Sequence, residues 1–275
     1  MSVAKDDKGE SGLSSKIMRL ARRRPLLTFY LITLLVSWPV GLLPFGPSLA
    51  ALIVAALIGG RSEVKALLRR VTIWRVGVRW YAVALFGPIV LVAVSVALNI
   101  ALGARTPGAS QLSEWPGFGA LLLLQLAIPF SGPWEELGWR GFALPNLLQR
   151  RSALAASLIL GCLWAVWHLP LFLAGSLPWA DAAVVLVVTI PFTAVFLETR
   201  GSVLIAFLMH GSLNAAGGVA IPMFEGADRT RMYWSMAIVG VLLSVIIVLM
   251  RRRDWMRHPE HEVGHTIVAS NTTPA

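Results

Sequence analysis

Charge is scarce in these 275 residues. Asp, Glu, Lys and Arg make up 14% of the chain, against 56% hydrophobic residues, whereas a water-soluble domain carries about 25% charge. That shortage excludes a single soluble core of ordinary composition. Cysteine is scarcer still: Cys162 stands alone, which excludes an intrachain disulfide and any cysteine-based metal site. Acidic residues are also few, 14 against 24 Lys and Arg, giving a formal net charge of +10. Such basicity raises the question of nucleic acid. The cations sit between apolar runs rather than on one face of a soluble domain, so no nucleic-acid partner is expected.

Apolar sequence is abundant, and it comes in blocks. The stretches 25–60, 80–104, 115–134, 152–180, 182–197, 201–224 and 232–250 contain no Asp, Glu, Lys or Arg. A hydrocarbon core of ~30 Å takes ~20 helical residues to cross, and most of these runs qualify singly. The chain therefore reads as an all-α, polytopic membrane protein. The first run is too long for one helix, and Pro44-Phe45-Gly46-Pro47 supplies the break. Eight spans follow, at 26–43, 48–60, 80–103, 118–144, 153–175, 183–199, 202–220 and 233–250. They form one transmembrane domain over 26–250, between a basic tail (1–25) and a polar one (251–275). The polar, charged start preceding a long apolar run does not resemble a cleaved signal.

Lys and Arg then fix a direction. With eight spans, 21 of the 24 fall on one side, leaving Arg105, Arg229 and Arg231 on the other. Basic residues in short loops stay cytoplasmic, so both termini are expected inside a cell-membrane protein. Within 61–79, Val64, Leu67, Leu68 and Val71 recur at helical spacing among Lys65, Arg69 and Arg70. A helix lying in the interface and an ordinary basic loop both fit that pattern.

Ionisable residues inside a bilayer cost several kcal/mol on most estimates, and so point to function. Here they gather: Glu135, Glu136 and Arg140 in the fourth span, His168 in the fifth, His210 in the seventh, with Asn214 one turn on. Glu136 and Arg140 stand at i, i+4 and can pair, which leaves Glu135 without a local partner. Trp164 and His168 share a face, as do His210 and Asn214. At ~1.5 Å per residue, Glu135, His168 and His210 lie ~14, ~22 and ~12 Å from the inner ends of their helices. Three helices can thus bring these groups into one intramembrane pocket. A carboxylate there can act as general base on water, an imidazole can share that water, and a second imidazole with an amide can stabilise an oxyanion. Ser131 and Ser212 are nucleophiles by type, but neither stands in a triad spacing. Cys162 lies off the His168 face and reads as packing.

Pro133-Trp134-Glu135-Glu136-Leu137-Gly138-Trp139-Arg140-Gly141-Phe142 resembles the Glu-Glu-x-x-x-Arg motif of the CAAX protease and bacteriocin-processing (CPBP) family of intramembrane proteases, type II CAAX prenyl endopeptidases among them. Trp164-x-x-x-His168 is similar to the second motif, in which Phe is the commoner aromatic, and His210-x-x-x-Asn214 to the third. The resemblance covers roughly 115–220. It implies an eight-helix fold with a site open to the cytoplasm and a membrane-associated protein or peptide as substrate. By the same resemblance Glu135 is the general base, with His168 sharing the attacking water. His210 and Asn214 would stabilise the oxyanion, while Glu136 and Arg140 hold the architecture; the Trp164 departure would alter pocket width more than chemistry. Members are often called metallopeptidases. Glu135, His168 and His210 are acceptable ligands for a divalent metal such as zinc, and a metal-free water works with the same residues. A non-catalytic scaffold in peptide immunity or partner binding is the alternative, and the intact polar set favours the enzyme.

His261-Glu262-Val263-Gly264-His265 matches the His-Glu-x-x-His string of zinc proteases. Its setting is poor, because Gly264 weakens a helix and no apolar core surrounds it. A solvated tail is the expectation there, and Asn271-Thr272-Thr273 is read as a chance glycosylation pattern on the cytoplasmic side.

Overall fold

The computed structural model describes residues 8–113 and 117–256. Among them the chain is all-helical, without a strand. In chain order the helices are α1 (Lys8–Arg23), α2 (Pro25–Ser37), α3 (Gly46–Arg69), α4 (Val78–Ala101), α5 (Ala109–Leu112), α6 (Gly117–Ala127), α7 (Leu144–Leu148), α8 (Ala153–Trp167), α9 (Leu169–Leu173), α10 (Ala180–Glu198), α11 (Val203–Ala220), α12 (Gly226–Met250) and α13 (Arg252–Met256).

Local chemistry sets many of these boundaries. Ser152 and Ser202 cap α8 and α11, their hydroxyls accepting from the amides of Ala155 and Ile205. Proline opens α2, α3, α7 and α9, where a missing amide costs nothing. Between α10 and α11 the chain reverses within a few residues: Arg200 and Gly201 take positive φ, and the Gly201 amide closes the turn onto Phe196 O at 2.8 Å.

Five helical stretches are long and apolar enough to cross a membrane: Val78–Ala101, Gly117–Glu135, Ala180–Glu198, Val203–Met223 and Gly226–Met250. Pro25–Val40 and Ala153–Trp167 are shorter apolar helices. Helices α10 and α11 form the buried centre, α10 packed between α8 and α12, and α11 between α4 and α6. Outward faces are greasy, as Phe86, Val90 and Val94 on α4 and Leu242, Ile246 and Leu249 on α12 illustrate. A soluble bundle would not expose such stripes. This is a multi-pass membrane protein.

Several spans differ from their sequence outlines. The fourth, expected as one helix over 118–144, is broken. Helix α6 stops at Ala127, a 3-10 turn covers Gly132–Glu135, and a π-helical stretch runs over Leu137–Ala143 into α7. Pro129 and Pro133 remove two backbone donors on either side of Gly132, which is reason enough. The fifth span breaks at His168, where Pro170 prevents α8 from continuing. The first ends in a 3-10 turn, Trp38–Val40, around Pro39. The second is only the first part of α3, which bends at Gly59-Gly60 and continues to Arg69. The basic stretch is thus helical as far as Arg69, with Leu67 buried and Leu68 exposed, and turns beyond it. The sixth and eighth helices start earlier than expected, at Ala180 and Gly226.

The π-helical stretch is pressed hard against α3. A Cβ on Gly138 would lie 2.5 Å from the backbone carbonyl of Pro47, so only glycine allows that approach. This contact seats the irregular fourth segment, and with it Glu135, Glu136 and Arg140, inside the bundle. Arg140 had been counted with the cytoplasmic cations; it is fully buried and belongs to the core.

Candidate active site

Each acidic residue of the pair has its own set of partners. Glu136 and Arg140, both 0% exposed, form the expected i, i+4 ion pair, with Arg140 Nη1 2.8 Å from Glu136 Oε1. The guanidinium is stacked between two rings, 4.5 Å from the Trp164 centroid and 4.4 Å from that of Phe192. Glu136 Oε1 also meets His210 Nδ1 at 2.7 Å. His210 is therefore anchored to the Glu136–Arg140 pair, an arrangement the sequence reading did not anticipate.

Glu135 is not partnerless, as its local sequence suggested. Its Oε2 accepts from Trp164 Nε1 at 2.8 Å and from Trp139 Nε1 at 3.2 Å. Both donors are buried indoles. Trp139 stands one helical turn from Glu135, so the i, i+4 rule that paired Glu136 with Arg140 also pointed to it. Trp164 is likewise more than an adjustment of pocket width. Phenylalanine at that position could not donate this hydrogen bond. Among the described residues Glu135 Oε1 takes no hydrogen bond.

Glu135, Trp164, His168, His210 and Asn214 all line one cavity of about 430 Å³. His168 holds its Nδ1 2.9 Å from Trp164 O, so Nδ1–H donates to that carbonyl and Nε2 is left as acceptor in the neutral ring. Gly132 packs against two of these side chains. A Cβ there would meet Asn214 Nδ2 at 2.5 Å and His210 Nε2 at 2.8 Å. The serines are elsewhere: Ser212 Oγ donates to Leu85 O at 2.5 Å, and Ser131 Oγ to the carbonyls of Ile128 and Gln125. Cys162 is exposed on α8 and is not part of the packed core the sequence reading assumed.

Residues 117–216 match the family described as type II CAAX prenyl endopeptidase Rce1-like. The match covers about a third of the chain. It contains all seven of the site residues named from the sequence. Over 56 residues the chain is 45% identical to CAAX prenyl protease 2 of Methanococcus maripaludis, a match spanning 20% of this chain and 19% of that protein.

Within the matched segment, metal binding has a simple geometric test. Among the described residues no three His, Cys, Asp or Glu side chains gather as ligands. Glu136 Oε1 is already committed to Arg140 and His210, and Glu135 Oε2 to two indoles. As they stand, the described side chains form no three-ligand set, although Glu135 Oε1 and His168 Nε2 are uncommitted. His258, His261, Glu262 and His265 lie outside the described residues.

The cavity has a direction. Beyond the polar cluster its wall is Leu177 and Asp181 before and at the start of α10, Ile221 and Pro222 after α11, and Tyr233 and Met236 near the start of α12. All of these belong to the end of the bundle that the charge count placed opposite the basic connections. No lining residue comes from the connections at 70–77, 149–152 or 199–202. The lining of this cavity thus lies away from the basic connections.

Proposed function

We propose that the protein is an intramembrane endopeptidase that hydrolyses a peptide bond of a membrane-associated protein or peptide with a glutamate-activated water. The observation carrying this reading is the meeting of Glu135, His168, His210 and Asn214 on one cavity, with Glu135 Oε2 fixed by two indoles and Oε1 left free. Glu135 takes a proton from water, and His168 Nε2 orients the same water by accepting its other hydrogen. The hydroxide adds to the substrate carbonyl carbon, and the carbonyl electrons move onto oxygen. Asn214 Nδ2–H donates to that oxyanion. His210, held through Nδ1 by the Glu136 carboxylate, turns its Nε2–H to the same oxyanion. Protonated Glu135 then returns its proton to the leaving amine as the C–N bond breaks. Each oxyanion donor is worth about 10²–10³ in rate and the general base about 10²–10⁴.

Comparison of membrane peptides from cells making the wild type or Glu135→Gln tests the reading. Uncleaved substrates accumulate in the variant, and prenylated CAAX peptides are the first to try, given the similarity to CAAX prenyl protease 2. An unchanged peptide profile with a retained partner phenotype would instead favour the scaffold. Cleavage by the purified protein is expected to survive dialysis against EDTA and removal of residues 257–275. Loss on dialysis with recovery on zinc would return a metal to the mechanism.

A further inference from the structure

Asp181 is the one carboxylate of the cavity that the proposed chemistry does not use. It sits at the start of α10, half-buried, and shares a helical face with Val184, Val185 and Val188, which line the same cavity. Among the described residues no cation lies within ion-pair distance and no donor bonds to it. Arg229, whose charge, like that of Asp181, acts on Tyr233, donates its Nε–H to Phe224 O at 2.8 Å. The amides of the first turn of α10 offset part of the cost of this partly buried carboxylate, and no side chain neutralises it, which leaves that place to an occupant of the cavity.

We propose that Asp181 determines specificity by binding a cationic group of the peptide substrate, a Lys or Arg side chain. Seven residues of helix separate Asp181 from Val188, a run of ~10 Å, and Phe192, against which Arg140 and His210 pack, is ~16 Å away. An extended peptide rises ~3.3 Å per residue, so the cation falls about three to five residues from the bond attacked. The intervening valines ask for apolar residues between. The substrate class is thus an apolar peptide with a basic residue at that distance. This rests on the peptidase reading only in calling the bound peptide a substrate.

Binding tests it without requiring cleavage. Fluorescein-labelled peptides of Ala, Leu and Gly, carrying a single Lys, Gln or Glu at each position in turn, are titrated onto the full chain in phosphatidylcholine nanodiscs. The protein carries Glu135→Gln so that no peptide is consumed. Lys is expected to tighten binding by about 10-fold to 100-fold over Gln at one or two adjacent positions, the range of a hydrogen bond to a charged group. Adding Asp181→Asn collapses that ratio to about one, Asp181→Glu keeps most of it, and Asp181→Lys shifts preference to the Glu peptides. A Lys-to-Gln ratio that Asp181→Asn leaves unchanged, or no preference at any position, overturns the proposal. Charge-selective binding through Asp181, in a protein whose wild type cleaves none of the bound peptides, would sink the peptidase reading and leave this one standing.

Discussion

Glu135 and Glu136 are adjacent in the chain, yet substitution should separate them. Glu136 neutralises an arginine that is wholly out of solvent and whose Nε and Nη2 have no other partner among the described residues. Glu136→Gln leaves that guanidinium uncompensated, a loss of about 3–5 kcal/mol. A large fall in the thermal unfolding midpoint of the detergent-solubilised protein is therefore expected. Glu135→Gln keeps an oxygen to accept from Trp139 and Trp164, so its midpoint should stay close to wild type while cleavage falls by about 10²–10⁴. Equal destabilisation by the two would mean that Glu135 is structural as well. Trp164→Phe removes one indole donor and preserves the ring that covers Arg140. Its expected signature is a lower kcat of about tenfold, the effect of one lost hydrogen bond, with little change in midpoint. The Glu136–Arg140 pair was legible at this scale because helical spacing survives in a π-helical turn. The Trp164 bond was not, since nothing local in the sequence says which residue of another helix will face Glu135.

At the scale of the element, the fourth segment matters most. Depth arithmetic on an unbroken helix brought Glu135 near His210, and the two do share a cavity, although the helix assumed is not there. Prolines at 129 and 133 were visible as breaks, but the path of the chain after a break is set by packing. Here Gly138 settles onto the Pro47 backbone and Gly132 against Asn214 and His210. The second glycine gives a test. Gly132→Ala puts a methyl group against the two proposed oxyanion donors, and neither can retreat far: His210 is tied to Glu136 and Asn214 lies on the central helix α11. Displacement by about 1 Å is enough to cost about 10²-fold in rate. Activity is expected to fall by that amount, with KM less affected than kcat and the unfolding midpoint nearly kept, since the methyl meets the tips of two side chains and no backbone. A collapse of the midpoint would show instead that Gly132 is needed for folding.

For the whole molecule, the charge count and the lining of the cavity point to opposite ends of the bundle. Charge asymmetry places the connections at 149–152 and 199–202 with the termini in the cytoplasm, whereas the cavity runs to the opposite end, toward Leu177, Asp181 and Pro222. Apolar runs and cations could be read along the chain. The slope of a cavity could not, because it depends on which ends of α10, α11 and α12 splay apart. Single cysteines decide between them. In a Cys162→Ser background, which removes the exposed native thiol, Pro222→Cys reports on the cavity end and Arg150→Cys on the basic end, both at exposed positions. If short basic loops stay inside, a membrane-impermeant maleimide added to intact cells modifies Pro222→Cys and reaches Arg150→Cys only after lysis. Substrates then enter from the extracytoplasmic side, where a basic residue on the peptide meets Asp181 near the membrane surface. The reverse labelling pattern would put the basic loops outside, restore cytoplasmic access, and make this chain an exception to the charge rule that its composition follows so strongly.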